Sequence, residues 1–472
     1  MQKAKASLAR AALTLALASV AGCSLAPPYS LPPSEAAPAY KELGPWQPAG
    51  TGLKDPGKWW ELFGDATLTS LEERIETGNP DLAAAVARYD QATAAVKVAT
   101  AQSMPSVGLG ASAVRERYSA GRPLTTGTTT AVPETFNTFA AGPSLSYEID
   151  LFGRVRNTIK ASKSDAKASA EDLAGVRLGL QATLASYYFQ MRGMDAQLTL
   201  LRATVDAYQR AYDLTDTRHT GGASSGLDVS RAQNLLSSAK AQLSAVAAER
   251  ATLEHAIAIL VGASPSSFSL AVAGNQPAPP PIPVGVPSVL LQRRPDILAA
   301  ENRVASANAR IGVARAALYP SLILGSAGGF EAQNSNILSA PNGFWALGPL
   351  TAALSLFDGG MRKAQVRISR AQYDEMAANY RSTVLTAFRE VEDDLARARY
   401  LSTQEADQQT ATAAAEKTSD LSLTLYRDGA DDYLQVVVAQ TAALQAEQML
   451  LQVQTLRLQV AVDTVLSIGG VY

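Results

Sequence analysis

Cysteine is nearly absent from this chain of 472 residues, because Cys23 is the only one. An intramolecular disulfide needs two cysteines, so folding has to depend on packing alone. Histidine is almost as rare, with two residues, and no cluster of His, Cys and carboxylate residues has the spacing of metal ligands. We therefore expect neither a metal site nor any other cofactor.

Charge and long apolar runs are also scarce. Charged residues make up 18% of the chain, against about 25% in typical soluble domains. The formal net charge is −2, which gives no electrostatic support for a nucleic-acid partner. After residue 22 there is no run of 18 or more apolar residues, so the sequence offers no candidate transmembrane helix. Hydrophobic residues still reach 47%, enough for a large core.

The first 23 residues have the layout of an export signal. Three basic residues precede the apolar stretch "AALTLALASVAG" (11–22), which is too short to span a bilayer. Val20-Ala21-Gly22-Cys23 resembles a bacterial lipobox, which implies that Cys23 becomes the lipidated first residue of the mature protein. Ser24 follows in place of an aspartate, and in that resemblance this implies transport to the outer membrane. An ordinary signal peptide with a chance cysteine is the alternative.

The rest of the chain contains an internal repeat. Three segments recur in the same order: 80–106 with 295–321, 142–156 with 348–362, and 221–233 with 428–440. The proline-rich stretch "QPAPPPIPVGVP" separates the two copies and cannot form a helix or a central strand. We divide the chain into a signal peptide 1–22, a lipidated extended segment 23–62, repeat 1 (63–273), a Pro-rich linker 274–288 and repeat 2 (289–472).

Each repeat is predicted to run helix, β-hairpin, long helix, turn and return helix. Apolar and polar residues alternate over 145–151 and 350–356, and the partner strands are predicted at 106–113 and 321–330. Four strands cannot close a membrane barrel, which needs about eight or more, and lipid does not tolerate an open sheet edge. The strands therefore form either a sheet with one wet face in a soluble domain or part of a barrel shared by several chains.

A very long helix follows each hairpin. Arg154–Arg218 and Met361–Tyr426 lack proline, and at 1.5 Å per residue each would reach about 97 Å. Apolar residues recur every three or four positions over 373–391, which is typical of a coiled-coil seam. A second apolar flank lies beside that seam, which suits a closed ring of helices. An elongated helical bundle is the alternative.

One segment has the form of a hydrolase motif. Gly222-Ala223-Ser224-Ser225-Gly226 matches G-x-S-x-G, but a nucleophile elbow requires a strand before the serine, and here a long helix precedes it. Neither His219 nor His255 stands where the usual late base would. We therefore predict that the protein is not an enzyme. A coiled-coil stalk or adhesive lipoprotein is the alternative of a different class, although a stalk does not need two hairpins.

With these features the chain resembles the TolC-type outer-membrane factors, and within them the lipoprotein branch typified by OprM and NodT. The most specific residues are Cys23, "WWELFGDATLTSLEERIETGNPDL" (59–82) and "GVPSVLLQRRPDI" (285–297). The resemblance implies a mixed, mainly α fold and a homotrimer. Its twelve-stranded β-barrel, four strands per chain, is continuous with a long periplasmic α-helical barrel.

The same resemblance implies a function and partners. The protein is expected to be the passive exit duct of a tripartite efflux pump that exports small molecules, with an N-acyl and diacylglycerol lipid on Cys23. Its expected partners are a periplasmic adaptor (membrane fusion protein), an inner-membrane RND transporter and outer-membrane lipid. A duct for type I protein secretion is a rival within the same class, but those members usually lack the lipobox.

The resemblance places the periplasmic mouth at the turns that end the two long helices. It implies adaptor contacts at these turns, here at Gly221, Gly222, Gly226, Leu227, Arg427 and Gly429. Some members close the mouth with a hydrogen bond between a tyrosine and an aspartate, which correspond to Tyr426 and Asp228. The alternative for Asp228 is an ordinary residue in the first turn of a helix.

The sequence departs from the family at the entrance. The chain reads "VVVAQ" where the family often has an "LLDAQ"-like segment, so Val438 replaces the acid. Leu434 matches an apolar constriction, which resists ion passage by dewetting. Asp431 and Asp432 would place six carboxylates around a trimeric mouth, or they are solvated turn residues. We expect an apolar gate rather than an acidic one.

Overall fold

The computed structural model describes residues 24–33, 39–42, 58–117, 135–273, 276–280, 293–333, 338 and 342–470. Cys23 and the hairpin loops that the sequence predicts at about 119–135 and 331–343 lie wholly or largely outside these residues. The helices are α1 (Ala66–Gly78), α2 (Pro80–Ala101), α3 (Arg154–Thr220), α4 (Gly226–Leu260), α5 (Pro295–Ala316), α6 (Met361–Arg427) and α7 (Tyr433–Ser467). Short 3-10 helices span Trp59–Phe63 and Pro265–Ser267.

The strands form one antiparallel sheet in the order β1-β2-β3-β4, with β1 (Ser106–Arg117), β2 (Thr135–Ile149), β3 (Ser321–Ala332) and β4 (Gly343–Ala353). The alternating segments that the sequence predicts, 145–151 and 350–356, extend beyond the ends of the strands. Leu151 follows the end of β2, and residues 354–356 follow the end of β4. Both strands end there because the chain turns into the next long helix.

Each of these strand-to-helix turns is built around an aspartate. Asp150 accepts a hydrogen bond from the backbone N–H of Arg156 (2.9 Å), at the start of α3. Asp358 accepts hydrogen bonds from the N–H groups of Gly360 (3.0 Å) and Arg362 (3.3 Å), at the start of α6. A carboxylate at this place satisfies N–H groups that have no partner inside the helix. Both long helices therefore begin where a side chain caps them.

The repeat is visible in the lengths of the helices. Helices α2 and α5 each have 22 residues, α3 and α6 each have 67, and α4 and α7 each have 35. The long helices thus end one or two residues beyond the predicted ends. Among the described residues, no helix combines the length and apolar character of a membrane span.

The described chain divides into two compact units. One contains the sheet with the adjoining segments Tyr89–Ser169 and Ala300–Tyr380, together with the described residues up to Pro32. The other contains Pro33–Arg88, Ala170–Ala299 and Arg381–Tyr472 in their described parts, and it has a large apolar core of its own. That core includes the fully buried Leu68, Ile75, Leu184, Phe189 and Ile257. Burial of side chains of this size is the main stabilising contribution to the fold.

The predicted coiled-coil seam on α6 is confirmed in part. Tyr380, Val384, Ala387 and Val391 are buried, whereas Tyr373 and Ala377 are half-buried. On the second flank, Leu395 is buried, but Leu385 is 54% exposed in the single chain.

Candidate functional site at the paired helical turns

The turn between α3 and α4 begins with a glycine C-cap. Gly222 has φ +73°, its N–H donates to the His219 carbonyl (2.9 Å), and the N–H of Ala223 donates to the Arg218 carbonyl (2.8 Å). This is the Schellman arrangement, in which a left-handed residue lets two N–H groups satisfy the last carbonyls of the helix. Because a side chain is strained at this φ, glycine is the favoured residue here.

The turn between α6 and α7 has the same construction. Gly429 has φ +80° and its N–H donates to the Tyr426 carbonyl (3.0 Å), while the N–H of Ala430 donates to the Leu425 carbonyl (2.9 Å). Asp432 then caps α7 by accepting a hydrogen bond from the N–H of Gln435 (3.2 Å). The predicted turn at the end of each long helix is therefore present, and a glycine of positive φ, Gly222 or Gly429, closes the helix in each case.

Arg218 ties the two turns together. Its guanidinium donates from Nη1 to the carbonyl of Tyr426 and from Nη2 to the carbonyl of Arg427, each at 3.0 Å. The same guanidinium lies 4.8 Å from the centre of the Tyr426 ring, within the range of a cation–π contact. One side chain at the end of α3 thus donates to two carbonyls at the end of α6, of which that of Tyr426 also accepts the N–H of Gly429.

A small apolar cluster lies beside this contact. It contains Ala232, Tyr426, Tyr433 and Val436, all buried, and the two tyrosine rings meet edge to face with centres 5.2 Å apart. Burial, followed by the nearby Tyr426 and Asp228, raises the pKa of Tyr433 to about 12. Tyr433 is therefore a neutral phenol at physiological pH, and the cluster holds the turns together by packing.

The expected hydrogen bond between Tyr426 and Asp228 is not formed within the chain. Among the described residues, the buried Tyr426 hydroxyl has no hydrogen-bond partner. Asp228 instead completes a capping box with Ser225, whose hydroxyl lies 2.8 Å from the carboxylate, and it pairs with Arg231 at 3.4 Å. The contacts of Asp228 therefore agree with the alternative interpretation, in which it is an ordinary residue of the first turn of a helix. Local capping groups occupy the carboxylate because they are only three residues away in sequence.

The other residues predicted at the mouth are mostly on the surface. Leu434 is 40% exposed and Val438 is 57% exposed, one turn apart on α7. Asp431 and Asp432 are exposed, and the Asp431 carboxylate accepts a hydrogen bond from the N–H of Asp432 (2.8 Å). Gly221, Gly222, Gly226, Leu227, Arg427 and Gly429 are exposed as well. In this chain the carboxylates of Asp431 and Asp432 each accept a backbone hydrogen bond at the turn. Leu434 and Val438 are apolar and exposed on α7.

The G-x-S-x-G segment does not form a nucleophile and base pair. The Ser224 hydroxyl donates to the Thr215 carbonyl (3.1 Å), and His219 Nδ1 contacts the Ser224 carbonyl oxygen (2.9 Å), not the hydroxyl. Both groups stabilise the turn. Within the described ranges, no group of three or more His, Cys, Asp or Glu residues is arranged to hold a metal ion.

Sequence reasoning missed Arg218. The sequence signal was present, since a basic residue in the last turn of a helix is favoured by the helix dipole and by the free carbonyls. That signal points to carbonyls of the same helix, however. Only the folded chain, in which the end of α3 lies next to the end of α6, brings the Arg218 guanidinium to the carbonyls of another helix.

Comparison with known proteins agrees with this architecture. The outer membrane efflux protein family matches residues 72–263 and again 286–470, once in each repeat. The chain therefore belongs to this family, whose members are outer-membrane channel proteins.

Two relatives and one solved structure illustrate the similarity. Outer membrane protein OprJ of Pseudomonas aeruginosa is 30% identical over 465 residues, covering 97% of this chain and 95% of OprJ. The probable efflux pump outer membrane protein TtgC of Pseudomonas putida is 31% identical, with 95% of this chain and 93% of TtgC covered. The structure of the outer-membrane channel OprN superposes with a TM-score of 0.87 at 29% identity, covering 95% of this chain and 99% of OprN.

Proposed function

We propose that this protein is the outer-membrane exit duct of a tripartite efflux pump. The observation that carries the proposal is the double family match, which covers both repeats and accounts for nearly the whole described chain. Relatives named as probable efflux pump outer membrane proteins cover more than nine-tenths of the chain. In this role the protein passes small molecules from the periplasm to the outside, performs no enzymatic reaction and needs no cofactor. A periplasmic adaptor and an inner-membrane transporter complete the pump.

The working form is a homotrimer. In the described sheet, β1 and β4 lie at the two edges, so their outer backbone groups have no strand neighbour within the chain. Unpaired edges are costly in lipid. Three copies would pair edge to edge and give twelve strands in a closed barrel, which satisfies these groups.

Lipidation of Cys23 completes the localisation in the outer membrane. The support is the lipobox-like Val20-Ala21-Gly22-Cys23 and the lack of any other cysteine. N-acyl and diacylglycerol chains on this residue would anchor the mature chain.

The paired turns form the periplasmic mouth and contact the adaptor. Leu434 and Val438 supply an apolar constriction, since both are exposed on α7 and neither is charged. Arg218, through its bonds to the carbonyls of Tyr426 and Arg427, takes the place of the tyrosine–aspartate bond in holding the mouth narrow.

Single-channel conductance in planar bilayers, together with light scattering of the detergent-purified protein, tests this proposal. We expect a trimer of small conductance, and Arg218→Ala should increase the conductance several-fold because it removes both hydrogen bonds. Arg427→Ala is the charge-matched control, since the Arg427 side chain is exposed and makes no contact between the turns. Tyr426→Phe should leave the conductance unchanged, because its hydroxyl has no partner.

The opposite results are equally clear. A monomer without conductance in any variant would refute the duct and favour a stalk lipoprotein. A conducting trimer that responds to Tyr426→Phe but not to Arg218→Ala would keep the duct and refute the role of Arg218.

A further inference from the structure

Residues 24–29, called the strap below, run along α5 in the direction opposite to the helix. Arg315 Nη1, near the end of α5, donates to the carbonyl of Leu25 (3.1 Å). Asn308 Nδ2, about two turns earlier, donates to the carbonyl of Pro27 (3.0 Å). Further along, Tyr29 is close enough to Glu301 for that carboxylate to add to the effect of burial on its pKa. The two hydrogen bonds, together with the proximity of Tyr29 to Glu301, show that the strap runs antiparallel to α5.

The strap lies in a polar groove whose floor is a glycine. A Cβ on Gly312 would lie 2.8 Å from the Cβ of Ala26 and 2.7 Å from Nδ2 of Asn157, closer than real Cβ atoms approach other atoms. Asn157 is 3% exposed, and its Oδ1 accepts a hydrogen bond from the Ser24 hydroxyl (3.0 Å). We call Asn157, Asn308, Gly312 and Arg315 the seat.

The first residue of the strap is fixed near the ends of two strands. Asn157 lies in the first turn of α3, shortly after β2, and Arg315 lies in the last turn of α5, shortly before β3. These strand ends are themselves paired, since Ile149 of β2 faces Leu322 of β3. Ser24 and Leu25 are thus held at the helix ends that adjoin the sheet.

We propose that the seat fixes the point at which the lipid anchor leaves the fold, next to the paired ends of β2 and β3. The inference rests on the proposed lipidation of Cys23, the residue before Ser24. The membrane partner is the leaflet that surrounds this end of the sheet.

The seat shortens the flexible segment between the lipid anchor and the first fixed residue of the chain. Among the described residues after the strap, the first with a buried side chain is Tyr40, which is 5% exposed. A flexible coil of the residues before Tyr40 would let the acylated end range over about 20 Å. With the strap seated, the anchor is one residue away from a fixed position.

Limited proteolysis of the full-length protein in detergent micelles tests the seat. Chymotrypsin can cut after Leu25 or Tyr29, and mass spectrometry reports the loss of the N-terminal fragment. We expect Gly312→Ala to speed this loss about tenfold or more, because the new Cβ displaces Ala26 or Asn157. Gly179→Ala is the matched control, since a Cβ on that helical glycine meets no atom within 4 Å. Asn157→Ala is a second variant that loosens the strap without adding bulk, and circular dichroism verifies that each variant is folded.

Photo-crosslinking tests the position of the anchor. Benzoylphenylalanine at Leu318, which is 38% exposed just after α5, should capture the acylated tryptic peptide 23–41 in the wild-type background and lose it with Gly312→Ala. An acylated peptide that Leu318 never captures, or cleavage rates equal in Gly312→Ala and wild type, would overturn the inference while lipidation stands. A peptide without acyl chains would refute lipidation itself, and the inference with it.

Discussion

Helices α3 and α6, at equivalent places in the two repeats, are both 67 residues long, and the helices that follow them both have 35. Their ends also match, because a glycine of positive φ closes each of the four: Gly222, Gly262, Gly429 and Gly469. Charge is buried differently in the two repeats. The backbone frame was therefore retained in both copies while the side chains between the helices diverged.

Two ion pairs, one in each repeat, show how the side chains between the helices diverged. Arg250 and Arg457 hold the same position in α4 and α7, and each pairs with an acid on the preceding long helix, Asp195 in α3 and Glu405 in α6. Asp195 is fully buried, at 0% side-chain exposure, whereas Glu405 is 12% exposed and lies one helical turn further along its helix. Asp195 also accepts the N–H of Ala273 at 3.0 Å.

Removal of the acid should therefore cost more in repeat 1 than in repeat 2. Asp195→Ala leaves the Arg250 guanidinium with Glu254 (3.3 Å) as its remaining carboxylate and leaves the N–H of Ala273 without this acceptor, and we expect a loss of about 3 kcal/mol in unfolding free energy. Glu405→Ala should cost about 1 kcal/mol, because water reaches that pair. Thermal unfolding followed by circular dichroism measures both. Equal losses would show that the two pairs are equivalent in spite of their burial.

Glu72 is a second point of difference between the repeats. It lies in helix α1, which has no described counterpart in repeat 2. Both carboxylate oxygens of Glu72 are buried and have no hydrogen-bond partner in the described part of the chain. Burial, followed by the nearby Glu76, raises the pKa of Glu72 from 4.5 to about 9. Between these pH values the folded chain binds one more proton here than the unfolded chain. Its contribution to stability therefore falls as the pH rises from 4.5 to about 9.

Glu72→Gln should consequently stabilise the protein at neutral pH. We expect a gain on the order of 3 kcal/mol at pH 7, seen as a higher Tm. The gain should fall nearly to zero at about pH 4, where the carboxyl group is protonated in the folded chain and mostly protonated in the unfolded chain. Glu73→Gln, on the exposed side of the same helix, is the control and should show no such pH dependence. A Tm gain that is the same at both pH values would contradict a buried neutral carboxyl group.

The glycine turns should give the smallest effects, and equal ones. Gly222→Ala and Gly429→Ala each force a side chain into the left-handed region, where neither added Cβ meets an atom within 4 Å. The cost is therefore purely conformational, about 1 kcal/mol each. Gly221→Ala, at a neighbouring position with ordinary φ, should have almost no effect on Tm. A clearly larger loss of Tm for Gly429→Ala than for Gly222→Ala would indicate that the two turns contribute unequally to stability.

Much of the fold was predictable because it depends on local rules. The repeat, the four strands, the long helices and the helix-ending glycines follow from spacing, period and backbone preference, each readable within a short segment. The errors were local too. Both strands end before their apolar alternation does. Asp150 already caps the next helix within the first pattern, whereas β4 ends at Ala353, ahead of the turn in which Asp358 caps α6.

The sequence by itself determined which segments are helix and strand, where they turn, and which family the chain resembles. The tertiary structure decided which polar groups meet. Arg218 reaches carbonyls of α6, Asp195 receives Arg250, and Gly312 accommodates Ala26, and these partners are 55 to 286 residues apart in sequence. Contacts over such separations depend on how the helices pack, and hydrophobic periodicity sets a buried face without specifying the residue opposite it. Asp228 is the opposite case, because the resemblance implies a distant partner for it but a local capping contact with Ser225 occupies its carboxylate.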